Sequence, residues 1–181
     1  MKLFKKIAVI SVGAMMAICA GFGLSNVSSK SASAASPSSL DLSTAGQFTT
    51  NTADQLVCTN GEVTLTINKN TSSTAANNYS PVSSTVRSST RVYNGMEVII
   101  TASSNAISAI SFVCTTTTYA TALGGSTVTG GTLAVSGTNV TLTGTGATTV
   151  TLLPKATAGM TSLTVTYGAA TEPDFTIDDY Q

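Results

Sequence analysis

Between residues 56 and 168 apolar residues alternate with threonine again and again, and that period of two admits strands rather than helices. Val63, Leu65 and Ile67 alternate with Thr64 and Thr66. Met96, Val98 and Ile100 repeat the pattern, as do Ile110, Phe112 and Cys114. Leu133 and Val135, Val140 and Leu142, Val150 and Leu152, and finally Leu163, Val165 and Tyr167 complete the series. Threonine is β-branched and stiff at χ1, so it suits the wetted side of a pleated surface. Each such strand therefore buries one face and wets the other, as antiparallel sheets do.

Turn signals punctuate the alternation. Asn60-Gly61 and Asn94-Gly95 each precede a strand pattern, and Ser136-Gly137-Thr138-Asn139 separates two of them as a hairpin loop. Turns recurring about every 8 to 12 residues predict a single all-β, antiparallel β-sandwich of about seven to nine strands, jelly-roll or Ig-like. No stretch of this region carries a helical period or a capping box, so no helix is expected there. Residues 69–90 read as a long polar connection, and connections of that length are usually either mobile or functional.

Outside the alternating region the chain changes character. Met1-Lys2-Leu3-Phe4-Lys5-Lys6, an apolar run from Ile7 to Leu24, and Ala32-Ser33-Ala34 together read as a signal peptide over residues 1–34. Residues 35–55 form a polar N-terminal arm suited to adding an edge strand, residues 56–168 the sandwich, and residues 169–181 an acidic tail. The expected location is secreted, extracellular or at the cell surface, with no membrane contact once the leader is removed. Lys2, Lys5, Lys6 and Lys30 are half of the eight basic residues, whereas all eight acids lie beyond residue 35, so the exported chain carries a net charge of −4. That sign argues against nucleic acid and anionic membrane as partners, because both are held through basic patches.

Cys58 and Cys114 both lie beyond the leader, and in an oxidising compartment they are expected to form a disulfide; two buried free thiols are the alternative. The chain has no histidine, which removes Ser-His-Asp and Cys-His catalysis and histidine-based metal sites. Asp54, Glu62 and Glu97 are the acids of the strand region, and Glu62 and Glu97 read as solvated strand ends rather than a catalytic pair. Asp174, Asp178 and Asp179 match no calcium-loop spacing. The expectation is a protein without catalytic residues, metal or cofactor. Paired threonines such as Thr64/Thr66 and Thr149/Thr151 raise ice binding, although any wet strand face written in threonine produces such pairs.

The stretch Ser89-Thr90-Arg91-Val92-Tyr93-Asn94-Gly95-Met96, followed by Ile107-Ser108-Ala109-Ile110-Ser111-Phe112-Val113-Cys114, resembles an accessory β-sandwich module of secreted bacterial proteins. Such modules pair an Arg-x-Tyr-x-Gly strand with an Ile-x-x-Ile-x-Phe-x-Cys strand. Thr/Gly hairpins, here Thr132 to Thr151, then lead to a closing strand like Ser162–Tyr167. The resemblance covers residues 56–168 and implies an extracellular module of unassigned activity, with no catalytic residue carried over.

Arg91 and Tyr93 are two apart and would share one side of a strand, Arg offering bidentate hydrogen bonds and Tyr a flat face. Packing of Tyr93 into the core, with Arg91 paired to Glu97 or to an aspartate of the tail, is the competing reading. Tyr79 and Tyr119 sit in polar, loop-like surroundings and read as exposed aromatics. Tyr79, Arg91, Tyr93 and Tyr119 are thus the expected ligand-binding residues of a non-catalytic module that binds a glycan or another cell-surface or matrix component. The alternative is a structural subunit of a fibre or matrix, self-assembling as the arm donates a strand to a neighbour.

Overall fold

A computed structural model of the chain describes residues 37–44, 47–77, 80–81 and 87–167. The expected leader, Tyr79 and the acidic tail lie outside these residues. In chain order the elements are β1 (Ser38–Asp41), β2 (Phe48–Asn51), β3 (Gln55–Asn60), β4 (Val63–Asn68), β5 (Ser80–Pro81), β6 (Arg87–Val92) and β7 (Glu97–Ala102). They continue with β8 (Ile107–Cys114), α1 (Thr117–Gly124), β9 (Thr127–Val128), β10 (Thr132–Ser136), β11 (Asn139–Thr143), β12 (Thr149–Leu153) and β13 (Ala158–Tyr167).

The strands form two antiparallel sheets, one ordered β10-β11-β8-β13-β6-β5 with β1 also on β13, the other β2-β3-β4-β7-β12-β9. The expected all-β sandwich is the fold. The strands outnumber the seven to nine expected because β1, β2, β5 and β9 are short edge pieces of two to four residues without apolar alternation.

The alternation decides which side of each strand is dry. In the six-stranded sheet Cys58, Leu65, Ile100 and Val150 stand in register across four strands, as do Leu56, Ile67, Val98 and Leu152, and all are buried. In the seven-stranded sheet Leu40, Leu163, Phe112 and Val140 form the equivalent row. The two sets join one core, and each fully buried large side chain contributes about 1.5–3 kcal/mol relative to exposure. The wet side of the six-stranded sheet carries a cross-strand rank, Thr59, Thr64, Thr101 and Thr149, whose hydroxyls pair at 3.1 Å (Thr59 with Thr64) and 3.3 Å (Thr101 with Thr149).

Three features differ from the sequence reading. The arm enters the fold of its own chain: β1 pairs with β13 and β2 with β3, while Leu40 and Leu42 reach the core. The far end of the 69–90 connection is strand β6, beginning at Arg87. The third difference is α1, which the threonine-rich composition had hidden. Its cap is Thr116, whose hydroxyl accepts the Tyr119 N–H at 3.2 Å, and Ala120 and Leu123, three apart, supply its buried stripe. The helix carries the chain from β8 in one sheet to β9 in the other and packs against β13, β10, β11 and β8.

Candidate functional site

Three turns meet at one end of the six-stranded sheet. The first follows β4, where Ser72 N–H donates to Lys69 C=O at 2.9 Å and Asn70 takes a left-handed φ of 48°, which asparagine tolerates better than most residues. The second links β6 to β7, with Met96 N–H donating to Tyr93 C=O at 3.1 Å. Thr71 joins them, since its N–H and hydroxyl both donate to Gly95 C=O, at 3.0 and 3.3 Å.

Gly95 is required twice over. Its φ is 83°, and a Cβ there would stand 2.9 Å from Ser72 N and Thr71 Oγ1. The third turn, Leu153-Pro154-Lys155, leaves β12 beside β9, where Leu153 pairs with Thr127.

These turns enclose an open pocket of about 200 Å³. Met96, Leu153 and Pro154 give it apolar surface, and Leu153 is 41% exposed although large and hydrophobic. Asn70, Asn94, Thr71, Thr127 and Lys155 give it amides, hydroxyls and an ammonium. Among the described residues the side chains of Asn70, Asn94 and Lys155 have no hydrogen-bond partner, so their donors are available to a ligand. Glu62 and Glu97 lie elsewhere, accepting from Asn105 at 2.9 Å and Asn68 at 3.1 Å.

The residues expected from the sequence are dispersed. Tyr79 lies outside the described residues. Arg91 and Tyr93 do not share a strand, because β6 ends at Val92 and Tyr93 opens the turn that carries Asn94. Tyr93 packs partly buried against the core.

Tyr119 is not an exposed loop aromatic. It sits in α1, half-buried against the core, with its ring over Gly159 of β13. Arg91 stands opposite the same Gly159 in register, its Nε buried and without a hydrogen-bond partner among the described residues. Arg91 and Tyr119 therefore border one glycine while Tyr93 stands apart.

Cys58 and Cys114 correct a further expectation: the bridge is not formed, and both are buried free thiols. Each fills an apolar place in its own sheet, Cys58 opposite Leu65 and Cys114 opposite Met160. Burial pushes the Cys114 thiol up to about 11. Cys58 is raised too, first by burial and then by the nearby charge of Asp41. Both thiols are held neutral and unreactive. Among the described residues no cluster of three or more His, Cys, Asp or Glu is arranged to hold a metal.

The pocket is only faintly legible in the sequence. Asn70 lies in the long polar connection, Asn94-Gly95 reads only as a turn, and Lys155 is one of four basic residues after residue 34. Nothing in the spacing joins positions 70, 94, 127 and 155. No helix among the described residues is long and apolar enough to cross a membrane. No family model, no curated protein and no solved structure matches this chain.

Proposed function

We propose that this chain is a non-catalytic, exported module that binds one sugar unit or chain end of an extracellular glycan in the pocket of Asn70, Asn94 and Lys155. The observation that carries the reading is the set of amide and ammonium groups without a partner among the described residues, beside the apolar surface of Met96 and Leu153. Sugars offer the same mixture, hydroxyl edges for amides and C–H faces for apolar side chains. The volume of about 200 Å³ lies below the ~300–1,000 Å³ typical of sites for larger ligands, which suits one ring. Lys155 favours a ring bearing a carboxylate or sulfate, since hydrogen bonds to charged groups are the stronger kind. The signal-like leader supplies the compartment in which such glycans are met.

The test is a glycan screen with the secreted protein, followed by titration of any ligand against Asn70→Gly and Lys155→Ala. Glycine keeps the left-handed backbone at position 70 and removes only the amide. Affinity should fall about three- to tenfold for Asn70→Gly. For Lys155→Ala it should fall by roughly tenfold or more on acidic sugars. Absence of glycan binding, or affinities untouched by both changes, would overturn the assignment.

A further inference from the structure

Among the described residues five strands have a single partner strand, and four of them are blunted. β5 has two residues and contains Pro81, which lacks an N–H. β9 also has two residues, and β2 is irregular between Phe48 and Thr50. β1 ends on the charged Asp41, and its Ser39 C=O is taken by the Asn60 side-chain amide at 2.7 Å. Short length, proline, bulges and charge are the devices by which edges avoid pairing.

β10 has none of these, and α1 meets it at the core-side Val135, beside Gly124. Thr132-Leu133-Ala134-Val135-Ser136 is five residues long, uncharged and free of proline, pairs in unbroken register with β11 alone, and carries Val135 45% exposed.

The strand is also complementary to itself. Leu133 and Val135 stand opposite the buried Leu142 and Val140, so both belong to the core-side face, whereas Thr132, Ala134 and Ser136 belong to the other. In an antiparallel pair of two β10 strands centred on Ala134, Leu133 of one copy meets Val135 of the other, and Thr132 meets Ser136. Apolar residues then face apolar and hydroxyls face hydroxyls, with no like charges opposed. The contact is isologous and closes with two copies, as a two-fold axis requires.

We infer that the chain forms a symmetric dimer through β10, joining the two seven-stranded sheets into one continuous sheet. A second copy is the fitting occupant because the register match arises from β10 against itself. An uncharged, proline-free edge would otherwise remain a site of uncontrolled pairing. The glycan pocket, built on the other sheet, plays no part in this argument.

The experiment is the mass of the secreted protein in solution by sedimentation equilibrium over a wide concentration range, for the natural chain, Ala134→Lys and Thr149→Lys. Ala134 is exposed, so lysine there leaves the core intact while setting two ammonium groups across the axis. Thr149, exposed on the other sheet, controls for the added charge. The natural chain and Thr149→Lys should dimerise, with Ala134→Lys weakened by roughly tenfold or more. A natural chain monomeric at every concentration would overturn the inference. So would a dimer indifferent to lysine at 134, and so would assembly that grows beyond two copies.

Discussion

The ring of Tyr119 occupies the space that a side chain at Gly159 would need: a Cβ there would stand 3.0 Å from both Cδ2 and Cε2. Helix α1 is thereby seated on β13, with the Thr115 N–H donating to Gly159 C=O at 3.1 Å just before it. Gly159→Ala should destabilise the protein by about 1–3 kcal/mol through overpacking. Adding Tyr119→Ala should cost less in the Gly159→Ala background than in the natural chain, because the clash is gone. Urea melts of the four proteins in a double-mutant cycle measure this coupling.

Thr90 is fully buried in β6, and its hydroxyl donates to Leu42 C=O at 2.8 Å, tying β6 to the end of β1. Thr90→Val keeps the shape and leaves a buried carbonyl short of a donor. A loss of about 1–3 kcal/mol in chemical denaturation is expected. Thr90→Ser, which restores the donor, should recover part of it.

Asp41 closes β1 by accepting from Ser43 Oγ at 2.6 Å, Ser43 N–H at 2.8 Å and Thr44 Oγ1 at 2.8 Å. The Ser43 hydroxyl is the main cause holding its carboxyl below the usual 3.8. A depressed carboxylate stabilises above its unfolded pKa and loses that contribution as pH falls through the folded value. Asp41→Asn should therefore lower Tm at neutral pH, and the gap from the natural chain should narrow below about pH 4. Thermal melts at pH 7, 4 and 3 read the difference.

The raised thiols act at the opposite end of the scale. Cys114 titrates near 11 when folded and near 9.0 when unfolded, so the folded state keeps a proton that the unfolded state releases. Its stabilising contribution is complete below the unfolded value and is lost as pH climbs toward 11. Replacing Cys58 and Cys114 by Ala should flatten the decline in stability between about pH 9 and 11. In the natural chain, alkylation at pH 8 should leave both thiols unmodified until denaturant is added. Prompt modification of the folded protein would contradict their burial.

Leu56, Ile67, Val98 and Leu152 show how far local pattern reaches, because the period-two alternation places each on the dry side before any partner strand is known. The same holds for the turn at Gly137-Thr138, closed by the Ser136–Asn139 pair as the sequence suggests. The signal-like leader and the charge balance of residues 35–181 are likewise properties of the sequence alone.

Tertiary structure decided the rest. The four threonines Thr115 to Thr118 carry no helical period, yet α1 begins among them at Thr117, because the crossing from β8 to β9 must bury Ala120 and Leu123 against the core. Tyr93 is drawn off its strand by the turn to Met96, and Tyr119 is drawn inward by the missing side chain at Gly159. The two cysteines take apolar places in different sheets, which residue spacing cannot report. Asn70, Asn94 and Lys155 meet only because three separate turns end at the same rim. Alternation along a strand is local and legible, whereas the meeting of distant loops depends on how two sheets are connected and stacked.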